Sequence, residues 1–163
     1  MAERVSGPTA AAVKPNRRQA ARLAAVQALY QWQEGQHEPV EIIEQFLSVR
    51  TGEKGEGGMR RDADKPLFRD VVAGTVSHRE ALEQALSSHL GQDWTWTRVD
   101  RLVRAILMAG AYELFHRKDV PARVAINEYV EIAHAFYDQG EATFVNLVLD
   151  RVARQARAAE LAS

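Results

Sequence analysis

The sequence predicts an all-α domain, and three observations lead to that class. Residue types that favour helices, such as Ala, Leu, Glu, Gln and Arg, are abundant, and the chain has only five prolines. Apolar residues recur at spacings of three and four along most of the chain, and no segment shows the alternation typical of a strand. The chain has 163 residues, which is enough for one domain with its own core. We expect a compact bundle of six or seven helices over residues 16–157.

The first third of the chain predicts an arm, two helices and a loop. Residues 1–15 are mostly small or polar, and their charged side chains are Arg4 and Lys14 against Glu3, so we expect a disordered basic arm. Asn16 is suited to cap a first helix, and Pro39 is suited to begin a second, shorter one. The segment 50–63 is Gly-rich and charged, has no apolar anchor, and is predicted to be a mobile loop.

A long apolar face follows this loop. Asp64 is a helix-start signal, and the face continues as far as His89, before Gly91 stops it. The pattern fits one long helix or two helices that break near Ser77. His78 and His89 fall on the apolar face, so we expect them to be half-buried core residues.

Three further helices complete the predicted bundle. The segment from Thr97 to Asp100 fits a capping box in which Asp100 takes the acidic position at the start of a helix. Pro121 is expected to begin the next helix, and Gly140 to end it in the left-handed conformation. A last helix runs through an Arg- and Ala-rich stretch into a tail, 158–163, which is expected to fray.

Neither a catalytic nor a metal site is predicted. The chain has no cysteine, which excludes disulfides, thiolate metal sites and cysteine nucleophiles. Its five histidines include no pair at metal-binding spacing, and no phosphate-binding glycine motif is present. Asn127, Glu128 and Glu131 cannot all converge on one point of a helix. We therefore expect no enzyme activity, no metal and no cofactor.

The charge distribution points to a local basic surface. A net charge of −1 argues against binding nucleic acid through bulk charge alone. However, Lys14, Arg17, Arg18 and Arg22 cluster at the start of the first helix, either as a solvated stripe or as contacts for phosphates. Tyr30 lies two turns beyond Arg22, where its ring can either stack on an unpaired base or pack into the core, and the sequence leaves both open.

The chain carries no targeting signal that we can identify. Its longest N-terminal apolar run is too short for a signal peptide, and no window approaches the length of a membrane span. Together with the absence of cysteine, this predicts a cytoplasmic protein without a membrane partner.

Four regions of the sequence resemble the NusB family of transcription antitermination factors, and they occur in the family's order. They are ARLAAVQALYQW at 21–32, FRDVVAG at 68–74, RAILMAGAYEL at 104–114, and DVPARVAINEYVEIA at 119–133 with its sequel FVNLVLD at 144–150. The resemblance covers about residues 16–153 and implies two small helical subdomains without catalysis. It also implies binding to single-stranded boxA RNA of ribosomal RNA operons together with NusE, a ribosomal small-subunit protein, within the transcription elongation complex.

The resemblance also implies an RNA-binding surface. Arg22, Tyr30 and Phe144 match family positions that face RNA, although Phe144 also fits the apolar periodicity of a core residue. Arg104 and Arg123 stand where the family often has a lysine or an arginine on the same surface. Residues 19–21 replace part of the arginine run found in some members, a loss that the neighbouring basic residues named above can offset.

For the NusE partner surface, the resemblance implies a different set of residues. Family members often carry a glutamate at the position of Val103, and in its absence we expect Asp100 and His89 to contribute. RNA binding is expected to be weak alone and tighter with NusE, since each protein adds its own phosphate contacts.

Two alternatives are weighed against this function. One is a helical protein-interaction module that has lost RNA binding. The other is an RNA-positioning domain related to RNA cytosine methyltransferases, although the sequence leaves no room for a methyltransferase domain.

Overall fold

The computed structural model describes residues 16–48, 59–60 and 62–162. The helices are α1 (Arg17–Trp32), α2 (Pro39–Ser48), α3 (Lys65–Ser77), α4 (Arg79–Ser87), α5 (Arg101–His116), α6 (Ala122–Phe136), α7 (Gln139–Ala156) and α8 (Ala158–Leu161), with a 3₁₀ helix at Trp96–Arg98. The predicted arm, with Lys14, and most of the predicted loop lie outside the described residues.

All regular secondary structure in the described residues is helical, which confirms the all-α class. Helices α1 to α7 form the bundle, as expected, and α8 adds a single turn of four residues. Helices α1, α2 and α3 pack against one another, and α5, α6 and α7 form a second group, with α1 and α3 also contacting α5. Across the ranges described, no helix is both long and apolar enough to cross a bilayer.

Side chains cap the helix starts, largely as the sequence predicts. Asn16 and Gln19 form a reciprocal capping box at α1, with Asn16 Oδ1 accepting from the Gln19 backbone N–H at 2.8 Å. Asp64 caps α3 by accepting from the Leu67 N–H at 3.0 Å. The capping box predicted from Thr97 is wrong in its register. Asp100 itself is the cap of α5 because its extended backbone directs the carboxylate onto the Leu102 N–H, 3.1 Å away.

The long apolar face is divided into two helices, the second of the predicted alternatives. The backbone of His78 departs from helical geometry between α3 and α4. Its side chain is exposed, contrary to the expected half-buried position, because the break turns it outward, where its ring centre lies 4.2 Å from that of His116. Gly140 is also not where we expected it. Helix α6 already ends at Phe136, and Gly140 lies in the first turn of α7.

Helix α5 occupies the centre of the fold. Its residues 105–114 are all buried, and it packs against α1, α3, α4, α6 and α7. A helix that is surrounded on all sides needs small residues where its neighbours come closest. At Gly110, a Cβ atom would lie only 2.8 Å from Leu149 Cδ1 of α7, so glycine permits this close approach.

The described end of the predicted loop is anchored, which corrects the expectation of no apolar anchor there. Met59 and Ala63 are both buried, and Met59 lines a groove between α1 and α6 together with Leu23 and Ile132. A single apolar side chain at the end of a polar segment produces no periodicity, so the sequence pattern did not reveal it.

A buried arginine near the C-terminus completes the end of α5. The Arg157 guanidinium donates to the backbone carbonyls of Leu114 (2.6 Å), Glu113 (3.2 Å), Arg117 (3.0 Å) and Val120 (3.0 Å). The last carbonyls of a helix have no partner within the helix itself. Arg157 therefore satisfies the Leu114 and Val120 carbonyls, which accept from no other described group, and adds a second donor to Glu113 and Arg117, which also accept from the backbone N–H groups of Arg117 and Val120.

Candidate nucleic-acid interface

The C-terminal end of α1 presents an aromatic ring beside an arginine. Tyr30 is 39% exposed, and the Arg101 guanidinium carbon lies 5.9 Å from the centre of its ring. Of the two roles that the sequence left open, this exposure favours an accessible ring over core packing. An aromatic ring beside a cation is a surface on which an unpaired base can stack. Arg101 was not among the predicted site residues, although it directly follows Asp100.

A second aromatic cluster lines an open cavity of about 430 Å³ where α5 and α7 begin. Phe144 is half-buried, its ring centre lies 5.5 Å from that of Trp94, and the two ring planes are inclined by 45°. Trp94 is 42% exposed, and the guanidinium carbon of Arg98 lies 5.2 Å from its ring centre. The remaining lining consists of Val99, Asp100, Val103, Gly140 and Glu141. Trp94 and Arg98 were missed because they lie in a segment without helical periodicity.

Asp100 lies between these two aromatic clusters. Besides capping α5, its carboxylate accepts a hydrogen bond from the Tyr137 hydroxyl. Burial and this hydrogen bond raise the pKa of Tyr137 above its ordinary value. Asp100 precedes Arg101, which contacts Tyr30, and lines the same cavity as Phe144. The two predicted aromatic residues therefore lie at the same end of the bundle.

Arg104 supports this end of the bundle from beneath. It is half-buried, and its Nε donates to Gln33 Oε1 at 3.2 Å while its Nη1 donates to the Trp96 carbonyl at 3.4 Å. These bonds join the end of α1 to the 3₁₀ helix. Arg104 thus holds the segment that carries Trp94 and Arg98, and only part of its side chain faces solvent.

The start of α1 carries two exposed arginines. Arg17 donates from Nε to the Asp62 carbonyl at 2.9 Å, and Arg18 lies 3.8 Å from the Asp64 carboxylate with about half of its side chain exposed. An exposed ion pair of this kind contributes little to stability and can exchange partners easily. Arg18 can therefore turn toward a phosphate, and Arg17 is exposed beside it.

Arg123 lies at the same end of the bundle as these arginines. Arg22 Nη1 on α1 lies 4.0 Å from Glu128 Oε1 on α6. Arg17 precedes Arg22 by five positions, and Arg123 precedes Glu128 by the same number. Arg123 is exposed in the first turn of α6. The distance along α1 from Arg17 to Tyr30 is about 20 Å at 1.5 Å per residue, so Arg17, Arg18 and Arg123 lie at the opposite end of the bundle from Tyr30.

Arg22 is buried rather than presented to solvent. It is 2% exposed, and its Nε and Nη2 donate to the two Glu113 carboxylate oxygens at 2.7 and 3.0 Å. The Tyr129 hydroxyl donates to the same carboxylate at 2.5 Å. Burial lowers the pKa of Arg22, but the Glu113 hydrogen bond and charge outweigh it, so the net shift is upward. This geometry gives Arg22 a structural partner and leaves its guanidinium out of reach of a phosphate on the surface.

His89 also has partners within the fold. It is half-buried, as expected, with Nε2 2.9 Å from Gln155 Oε1, and its carbonyl accepts from Arg151 Nη1 at 2.9 Å. Its ring edge is therefore only partly available to a partner protein. No cluster of three or more potential metal ligands occurs within the described ranges.

These features define a class of protein: a small all-α domain that exposes arginines and aromatic rings on its surface. The family model described as the NusB family matches residues 19–154. The chain is 48% identical to the transcription antitermination protein NusB of Nitrobacter hamburgensis over 149 residues, which cover 91% of this chain and 93% of that protein. It is 47% identical to the NusB of Rhodopseudomonas palustris strain TIE-1, covering 90% and 84% of the two chains. The chain belongs to the NusB family.

Solved structures show the same fold. T. maritima NusB superposes with a TM-score of 0.74 and 27% identity, covering 92% of this chain and 99% of that one. A chain from a crystal structure of the antitermination factors NusB and NusE in complex with double-stranded RNA superposes with a TM-score of 0.68 and 23% identity, covering 84% and 96%. The second similarity concerns the fold alone.

Proposed function

We propose that this protein is a non-catalytic antitermination factor that binds boxA RNA of ribosomal RNA transcripts together with NusE, in the cytoplasm. Membership of the NusB family over residues 19–154 is the observation that carries the proposal, since the relatives are named as antitermination proteins. The solved complex that contains NusB, NusE and RNA supports the choice of partners.

The exposed side chains suggest how RNA is held. Unpaired bases stack on Tyr30 and Phe144, while Arg17, Arg18 and Arg123 meet phosphates toward the other end of the bundle. Arg104 adds to the cationic surface, and Lys14, outside the described residues, is proposed as a further RNA contact. Arg22 acts indirectly in this arrangement, by fixing α1 against α5, because its guanidinium is committed to Glu113.

NusE is proposed to bind near Asp100 and His89 and to extend the RNA surface. The cations proposed to meet phosphates, Arg17, Arg18 and Arg123, neutralise few phosphates. Each phosphate contact contributes a salt-dependent increment to the affinity for RNA. A basic partner would supply further contacts, so we expect weak binding of RNA by this protein alone and tighter binding by the pair.

Titration of labelled boxA RNA, and of a scrambled RNA of equal length, tests the proposal with and without NusE at fixed moderate salt. Preference for boxA that tightens with NusE is the expected result. Replacing Arg17 and Arg18 by Ala should reduce the slope of log affinity against log salt by about 0.7 per lost contact. Arg154→Ala is the matched control, because Arg154 is exposed and pairs only locally with Asp150 among the described residues.

A helical interaction module without RNA binding is the second candidate, and the burial of Arg22 favours it by removing one expected cation. The same titration separates the two. A NusE complex that forms normally while neither RNA binds would reject the antitermination proposal and support the interaction module.

A further inference from the structure

The cavity lined by Trp94 and Phe144 has carboxylates as well as aromatic rings in its wall. Glu141 and Phe144 lie three residues apart at the start of α7, so their side chains share one face of the helix. Both line the cavity, as does Asp100 from the start of α5. The opening thus combines flat apolar surfaces with carboxylates, a combination suited to a planar ligand that carries hydrogen-bond donors.

The two carboxylates differ in how much acceptor capacity they retain. Asp100 already accepts from the Leu102 N–H and from the Tyr137 hydroxyl. Glu141 accepts no hydrogen bond from another residue in the described part of the chain. An ionised carboxylate accepts but does not donate, so Glu141 can take two donors from a ligand.

The charge of these groups decides which part of an RNA can enter. A phosphate would be repelled by Asp100 and Glu141, whereas a base brings donors and a flat face. The Watson–Crick edge of guanine presents its N1–H and its exocyclic amino group side by side, and these match the two oxygens of one carboxylate. Adenine and cytosine present one amino donor beside an acceptor, and uracil presents one donor between two acceptors, so each pairs less well.

We propose that this cavity is a guanine-selective base pocket, in which an unpaired guanine stacks on the exposed Trp94 ring, the tilted Phe144 ring packs against its edge, and Glu141 accepts its N1–H and amino group. Val103 provides an apolar floor beneath the base. Arg98, beside the Trp94 ring, lies at the rim, where the phosphate of the same nucleotide would pass. The inference rests on the proposed RNA-binding function and adds to it a base preference and two residues, Trp94 and Glu141.

The test uses the whole protein with NusE and a single-stranded boxA RNA in which each guanine is replaced in turn by inosine or adenine. Inosine keeps N1–H but lacks the amino group. One guanine position should lose about tenfold in affinity on either replacement, the usual scale for a lost base contact. For the same RNA, Glu141→Gln should remove the preference for guanine over inosine, because the amide offers one acceptor. Glu80→Gln, an exposed glutamate on α4, is the matched control.

The aromatic wall is tested separately. Trp94→Ala should weaken binding about tenfold, and Trp94→Phe should restore most of the loss, since stacking needs only an aromatic face. Trp94 is exposed, so circular dichroism and the unfolding midpoint should match the unaltered protein.

The outcomes distinguish this inference from the function on which it rests. If the unaltered protein with NusE binds no RNA, both are rejected. If it binds boxA RNA but Trp94→Ala and Glu141→Gln bind equally well, the pocket is rejected and the antitermination function stands. If Trp94→Ala weakens NusE binding and leaves RNA binding unchanged, the cavity holds a protein side chain and the pocket is also rejected.

Discussion

Replacing Arg22 by Met tests whether this residue holds the fold together or binds RNA directly. Methionine has a similar length and remains apolar, so it fills most of the space while removing the charge. The Glu113 carboxylate, which is completely buried, would then keep the Tyr129 hydroxyl as its one side-chain hydrogen-bond partner among the described residues. Leaving one member of a buried ion pair without its partner is strongly destabilising.

The size of the effect follows from the geometry. Two short hydrogen bonds, at 2.7 and 3.0 Å, join Arg22 to Glu113, and both side chains are excluded from water. We expect Arg22→Met to lower the free energy of unfolding by about 3–5 kcal/mol. Tyr129→Phe should cost less, about 1.5–3 kcal/mol, because it removes one hydrogen bond to a charged group. Replacing Arg22 by Met and Glu113 by Leu together should cost less than Arg22→Met alone, since no unpaired charge remains.

Denaturant unfolding followed by tryptophan fluorescence and circular dichroism measures these free energies. The RNA affinity of each folded variant is measured in parallel, at low temperature and without denaturant. A loss below about 1 kcal/mol for Arg22→Met, together with a large loss of RNA affinity, would refute the structural role and restore Arg22 to the RNA surface.

Three further predictions concern packing, pH and RNA. Gly110→Ala should lower the free energy of unfolding by about 1–3 kcal/mol, measured in denaturant, because its methyl group meets Leu149. Burial and the nearby His78 lower the pKa of His116, so protonation favours the unfolded chain and stability is lost as pH falls below about 6.5. The unfolding midpoint of the His116→Gln variant should therefore depend less on pH in that range. An unchanged pH dependence would contradict this explanation. Tyr30→Ala should weaken boxA binding by about 1–3 kcal/mol with little change in stability, whereas Tyr30→Phe should bind normally.

Local signals in the sequence predicted most of the helix starts. Asn16 and Asp64 cap the helices that they were expected to cap, because a capping side chain acts on backbone atoms only two or three residues away. The prediction that Gly140 ends α6 was wrong because α6 already ends four residues earlier, at Phe136. Helix boundaries depend on tertiary packing as well as on the residue types at the end.

The candidate site was less accessible to sequence reasoning. Arg22 shares a helix face with Arg18, and periodicity alone gave both the same role. What separates them is Glu113, which is 91 positions away and contacts only one of the two. Trp94 likewise joins Phe144 across two elements, in a segment where no periodic pattern exists. Pairings of this kind are set by the fold and leave no trace in local spacing.

The position of Arg157 has a consequence for how the chain is made. Synthesis proceeds from the N-terminus, so α5 leaves the ribosome well before the residue that completes its C-terminal end. Until then, the carbonyls of Leu114 and Val120 lack the Arg157 donor and must remain hydrated, which keeps that end of the central helix from closing against its neighbours. The bundle is therefore expected to reach its final packing only after α7 and Arg157 have emerged from the ribosome, as a late and concerted step of its biosynthesis.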